Sequence, residues 1–294
     1  MGDELEGSLA RLEAQVLAAG ALGDFFLRVD TLRRLLADES PTIRGVVLGM
    51  LPPEVEAQAR AAALDAFAAG GRDALDIVND LDIEPIVRIG RPSAAAIAPV
   101  VGLNRAGRAA LATAQKLAAA GADLDAVVAP VTGYANSVKG RVTSAINGAG
   151  NEGATAIADA AALPTVWVAE TNACVRCLRY SGLIADPGEA FPAGLTYGRP
   201  AAATNGPLPH PPLHPHCRCT VEPMRSREYA AALRREADRS VLRGFSLESE
   251  SMGTRIDAAE RLLKTDPDAP KSVIAYAESA VRRGEFTTRG RPSG

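Results

Sequence analysis

Nine of the twenty prolines of this 294-residue chain fall between positions 187 and 223. Proline fixes φ and lacks an N–H, which closes this stretch to helix and to the centre of a sheet. As a free loop of about forty residues it is too long for a compact domain unless something pins it. Two cysteine pairs bracket it. Cys174 and Cys177 precede it, Cys217 and Cys219 stand at its far end, and residues 178–216 lie between. All three histidines, His210, His214 and His216, sit in the same stretch.

The pairs read C-x-x-C and C-x-C. Two residues between cysteines let a tight turn aim both sulfurs at one point, the usual half-site of a tetrahedral zinc ion. A C-x-C pair also converges on a metal, with a tighter backbone. His214 and His216 flank it, so there are more candidate ligands than a tetrahedral ion needs. Cys174, Cys177 and Cys217 are the expected ligands, with Cys219 or His214 as the fourth. A structural Zn2+ shared by the two pairs would staple the ends of the loop, and metal binding would supply folding free energy that little apolar surface can provide there. Disulfides are the competing reading. The acidic start MGDELEGSLARLEAQ lacks the basic and apolar segments of a secretory leader, which favours a reducing compartment and metal ligation. A redox C-x-x-C needs a βαβ setting that the pattern does not offer. His210 reads as an exposed loop residue.

The rest of the chain reads as helix. Alanine dominates the hydrophobic residues and aromatics are 4%, a composition suited to slim, elongated, closely packed helices. Phe25, Val29, Leu32 and Leu36 recur at helical intervals. Pro52 and Pro53 open a helix through EVEAQARAAALDAFAAG that is expected to stop at Gly70-Gly71. LNRAGRAALATAQKLAAAG gives another, ending at Gly121. GRVTSAINGAGNEGATAIADAAAL has helical propensity, with a break expected at Gly148 and Gly150. TVWVAE, from Thr165, has the β-branched and aromatic residues of a short strand and holds the only tryptophan, Trp167, read as core. After Pro223 helices resume in SREYAAALRREADRSVLRG, RIDAAERLLK and PKSVIAYAESAVRRG, stopping at Gly244 and Gly284. The tail TTRGRPSG is expected to be disordered. The fold class expected is therefore mainly α with a small β-rich zinc-binding module (α+β). Its parts are a helical region 1–163, a Cys/His/Pro-rich module 164–223 and a C-terminal helical region 224–294.

Net charge of −3 and a pI near 5.8 disfavour a general nucleic-acid binder. No run of about 18 apolar residues crosses a membrane. No nucleophile elbow, P-loop or H-E-x-x-H motif is present, and the chain is not expected to be an enzyme.

The run VWVAETNACVRCLRYSG, a proline-rich span and PPLHPHCRCTVEP together resemble the signature of the phage Mu F-like head morphogenesis proteins. The matching positions are Trp167, Cys174, Cys177, Gly182, Pro212, His214, Pro215, Cys217, Arg218 and Cys219. The preceding AINGAGNEGATAIADAA is similar to the helix before the motif, so the likeness covers roughly residues 100–223. It implies a structural minor capsid protein of a tailed phage or prophage, associated with the portal inside the head in several copies. Portal and other head proteins would be its partners, packaged DNA would lie within reach, and the host cytoplasm would be its site of assembly. His216 falls at a variable place in that pattern, which favours His214 over it as a ligand. Two other readings compete. A zinc-ribbon-like nucleic-acid module would use the arginines of 225–243. A zinc hydrolase would use the histidine cluster and keep an open coordination position.

Overall fold

The computed structural model describes residues 55–83, 90–170, 172–197, 207–214, 216–265 and 267–287. The expected helix around Phe25–Leu36, the prolines 52 and 53, and the tail from 288 lie outside these residues. The protein is mainly helical with a small three-stranded antiparallel sheet, an α+β fold. It divides into two compact units. Among the described residues the first takes in 55–73, 90–153, 214 and 216, and the second takes in those of 74–83, 154–213 and 217–287.

In chain order the helices before the sheet are α1 (Glu56–Asp80), α2 (Ala94–Ile97) continued by a 3-10 turn (Ala98–Val100), α3 (Leu103–Ala119) and α4 (Leu124–Ala160). The core of the first unit is small-residue packing. Ala59, Ala63, Ala66, Ala114, Ala145 and Ala149 are buried beside Val100, Leu103, Val127 and Val138. Two sequence expectations fail here, for one physical reason. α1 does not stop at Gly70-Gly71, and α4 is not broken at Gly148 and Gly150. The glycines act as contact points. A Cβ on Gly70 would overlap the carbonyl of Gly150, and one on Gly153 would overlap the carbonyl of Phe67 and stand 3.1 Å from the Gly71 nitrogen. The two backbones meet where side chains are missing. The loss of helix propensity, about 1 kcal/mol per glycine, is offset by close packing. The expected end of the third helix at Gly121 matches α3, whose last residue is Ala119.

The second unit is built on the strand that TVWVAE predicts. β1 (Thr165–Val168) pairs antiparallel with β2 (Ile184–Ala185) on one side and β3 (Thr220–Pro223) on the other. Among its described residues the proline-rich segment stays out of helix and out of the sheet centre, and contributes the outer strand β3 at its end. A six-residue helix, α5 (Val175–Tyr180), follows β1, and three helices close the chain: α6 (Arg227–Leu242), α7 (Met252–Leu263) and α8 (Lys271–Arg283). α6 and α7 are each capped by a serine. Ser226 accepts from the Tyr229 amide and Ser251 from the Thr254 amide, both at 3.1 Å. α6 and α8 end before Gly244 and Gly284, both left-handed, as the sequence suggests. α6, α7 and α8 pack on one another, and α5 packs on α6. Trp167 is fully buried, with the Tyr180 and Phe191 ring centroids at 4.7 and 5.2 Å.

Side chains hold much of the proline-rich loop. Phe191 and Leu208 exchange backbone hydrogen bonds, 2.7 and 2.9 Å, across the loop. The Tyr180 hydroxyl donates to Pro192 O at 2.7 Å and accepts from the Leu195 amide at 3.3 Å. Tyr197 is buried between the guanidinium groups of Arg179 and Arg234, 5.5 and 5.3 Å from its ring centre, and its hydroxyl donates to Asp238. Asp238 is 5% exposed. Burial raises its carboxyl, against the lowering effect of the Tyr197 hydrogen bond and Arg234.

Tyr197→Phe is therefore expected to cost about 1–3 kcal/mol near neutral pH, because a buried acceptor loses its donor. The sign with pH follows from the raised carboxyl. The folded state holds that proton more tightly than the unfolded chain, so the cost of burying Asp238 is felt as pH rises through its folded pKa. The gap between Tyr197→Phe and the parent should narrow as pH falls toward that value. Urea unfolding at a series of pH values measures it, and a pH-independent gap would assign the loss to packing.

Candidate metal centre

The pairing of β1 with β3 sets the site. Val168, at the end of β1, sits opposite Thr220, at the start of β3. The chain leaving β1 and the chain entering β3 therefore share one end of the sheet. Cys219 immediately precedes β3. The chain leaving β1 turns through a Glu170–Ala173 hydrogen bond of 2.9 Å and a left-handed Asn172 into α5. Cys174 is the N-cap of α5 and Cys177 lies in its first turn, so the C-x-x-C spacing places both sulfurs at the same helix end. The cap is closed by another group. Glu250 accepts from the Val175 amide at 3.1 Å, and the Cys174 side chain makes no capping bond.

The cysteine sulfurs converge on Cys177. Its Sγ lies 3.7 Å from that of Cys217, and Cys174, Cys217 and Cys219 all hydrogen-bond to it. The ligand atoms of Cys177, Cys217 and Cys219 lie within 4.8 Å of one another, as do those of Cys174, Cys177 and His214. These five residues are able to hold a metal ion. Sulfurs bound at about 2.3 Å to a tetrahedral ion are separated by about 3.8 Å, the edge of the tetrahedron. A disulfide needs about 2.05 Å. The observed 3.7 Å fits the first, and all four cysteines are free thiols.

Burial and charge fit the same chemistry. Cys177, Cys217 and Cys219 are at most 2% exposed, within the core that holds Trp167, while Cys174 is half-buried. Hydrogen bonds from Cys177 and Cys219 stabilise the Cys217 thiolate and hold its pKa well below that of a free thiol. Hydrogen bonding to Cys174 and the other two thiols, with burial, pushes Cys177 up. Thiols that trade protons among themselves give them up together to a cation.

His210 belongs to neither group of ligand atoms among the described residues. It is half-buried where an exposed residue is expected, with Nδ1 2.6 Å from Pro211 O. His216 is in neither group, takes a left-handed φ of 64° and has its ring against Gly140. Glu250 escapes sequence reasoning. It lies 75 residues from Val175, and a lone glutamate in a loop carries no spacing signal. Compared with known protein families, curated proteins and solved structures, the chain matches none.

Proposed function

We propose that this chain is a minor capsid protein of a tailed phage or prophage, of the Mu F-like head morphogenesis kind. It acts at the portal vertex inside the head, in several copies, through protein contacts, and its cysteine cluster holds a structural Zn2+. The observation that carries the reading is the convergence of two distant cysteine pairs embedded in the W…CxxC…G…PLHPHCRC pattern. Thiol ligands suit zinc, and the Cys177–Cys217 sulfur spacing of 3.7 Å is near a tetrahedral edge. Cys177, Cys217 and Cys219 with Cys174 or His214 would fill a tetrahedron without leaving a position for water, the mark of a structural site and not a hydrolytic one. A thiol fourth ligand beside Cys177, Cys217 and Cys219 would be Cys174, and a nitrogen one would be His214.

The nucleic-acid reading is weaker because three of the six arginines between 225 and 243 are engaged. Arg234 donates to Arg179 O at 2.7 Å and lies 3.4 Å from Asp238, Arg235 lies 3.8 Å from Asp268, and Arg239 lies 3.6 Å from Glu236. Mass spectrometry and cryo-electron microscopy of assembled heads test the proposal. The chain is expected in proheads or mature heads, beside the portal. Its absence from both would overturn the reading.

A further inference from the structure

The second unit contains a cavity of about 540 Å3 that is separate from the cysteine cluster. This volume falls in the range of small-molecule sites. Its wall is assembled from the end of α6 and the turn after it (Arg243, Ser246), from α7 (Met252, Arg255), from α8 (Tyr276) and from the chain beyond α8 (Phe286). The apolar side is aromatic. Tyr276 and Phe286 stand with ring centres 6.2 Å apart, and the Tyr276 hydroxyl is held by Thr287 O at 2.9 Å. The Phe286 amide donates to Met252 Sδ at 3.4 Å, which fixes the wall on that side.

The lining is also cationic. Arg255 is locked in place, its Nη2 donating to Leu247 O at 2.9 Å and Glu248 O at 3.0 Å. Arg243 is exposed at the rim, and no ion pair of either arginine occurs among the described residues. The Ser246 hydroxyl also lines the cavity. This residue is 4% exposed, and its oxygen has no hydrogen-bond partner within bonding distance, although it is near enough to Glu250 to lower that carboxyl. Among the described lining residues Glu248 is the one acid, against two arginines, and Glu250 lies near enough to Arg255 to feel its charge. Neither α7 nor α8 has an acidic residue in its first turn, so their positive helix ends add to the field instead of being cancelled.

From this juxtaposition we infer that the cavity binds a small organic anion with an aromatic or similarly flat apolar body, its acidic group facing Arg243 and Arg255 and its body on Tyr276 and Phe286. An apolar body alone would leave the arginine side unpaired, and an inorganic anion alone would leave the aromatic wall unused. The inference stands independently of the capsid reading and of the metal.

A matched pair of fluorescent probes tests it on the full, metal-loaded chain. Anilinonaphthalene sulfonate carries the acid, and N-phenylnaphthylamine has the same aromatic body without it. The sulfonate is expected to bind saturably, one per chain, at least about tenfold more tightly than the neutral probe. Arg243→Glu, a surface change, should weaken the sulfonate about tenfold and leave the neutral probe alone. Ser272→Trp, at an exposed wall position, should fill the cavity and weaken both. Far-UV circular dichroism and metal content of each variant check that the fold is kept. Equal affinity for the two probes, no response to Arg243→Glu, or no saturable binding by the folded protein would overturn the assignment.

Discussion

Cys177→Ser is expected to strip the protein of its metal. The parent should carry about one zinc per chain and the variant close to none. Cys177 is the sulfur that hydrogen-bonds to the other three, so its loss breaks the set at its centre. Structural zinc in small modules is worth on the order of 10 kcal/mol, and most of that disappears. The unfolding is local. Residues 178–216 should become sensitive to protease, while the helices of the first unit, whose alanine and valine core is separate, keep their circular dichroism. A strong chelator should reproduce the effect on the parent, and acid should do the same as the thiolates take up protons. Cobalt in place of zinc gives a second readout. Its sulfur-to-metal absorption should be lost in Cys177→Ser and kept in His214→Ala if four thiols are the ligands. Full zinc content and unchanged protease resistance in Cys177→Ser would refute the centre.

The second large effect is expected from Gly182→Ala, which touches no ligand. Gly182 follows α5 with φ of 73°, and its amide donates to Trp167 O at 2.8 Å. A Cβ there would overlap the carbonyl of Ala230 and stand 2.9 Å from the Arg234 nitrogen, both on α6. A left-handed alanine alone costs roughly 1–2 kcal/mol. Moving a packed helix to clear the overlap brings the expected loss to about 3–5 kcal/mol, the range of severe substitutions. At roughly 2–4 °C per kcal/mol for a chain of this size, the melting transition of the second unit should fall by about 6–20 °C. The metal content should remain near that of the parent, which separates this backbone fault from the ligand fault above. A loss under about 0.5 kcal/mol would mean that α6 has room that the structure does not give it.

Much of the fold is legible in the sequence where local chemistry decides. TVWVAE is β-branched and aromatic and forms a strand. The serines before α6 and α7 cap them, and Gly244 and Gly284 end α6 and α8. The clustering of the cysteine sulfurs follows the C-x-x-C and C-x-C spacing. What is not legible depends on distant partners. Gly70 and Gly150 look like helix breakers when only their neighbours in sequence are considered. Their effect is reversed because another backbone lies against them. Tyr197 and Asp238 are 41 residues apart, and Glu250 and Val175 are 75 apart. No periodicity links such pairs. The proline-rich loop likewise looks dependent on the metal alone until Tyr180, Phe191 and Tyr197 are seen to hold it from within.

The small sheet has a consequence for crowding. Its order is β2-β1-β3, so β2 and β3 are its outer strands among the described residues. β2 is two residues long, and β3 ends on Pro223, which has no amide hydrogen to offer a newcomer. Neither margin can template a long ladder with a neighbouring molecule. Many copies can thus be brought side by side at high local concentration with little risk of fibril growth from this sheet.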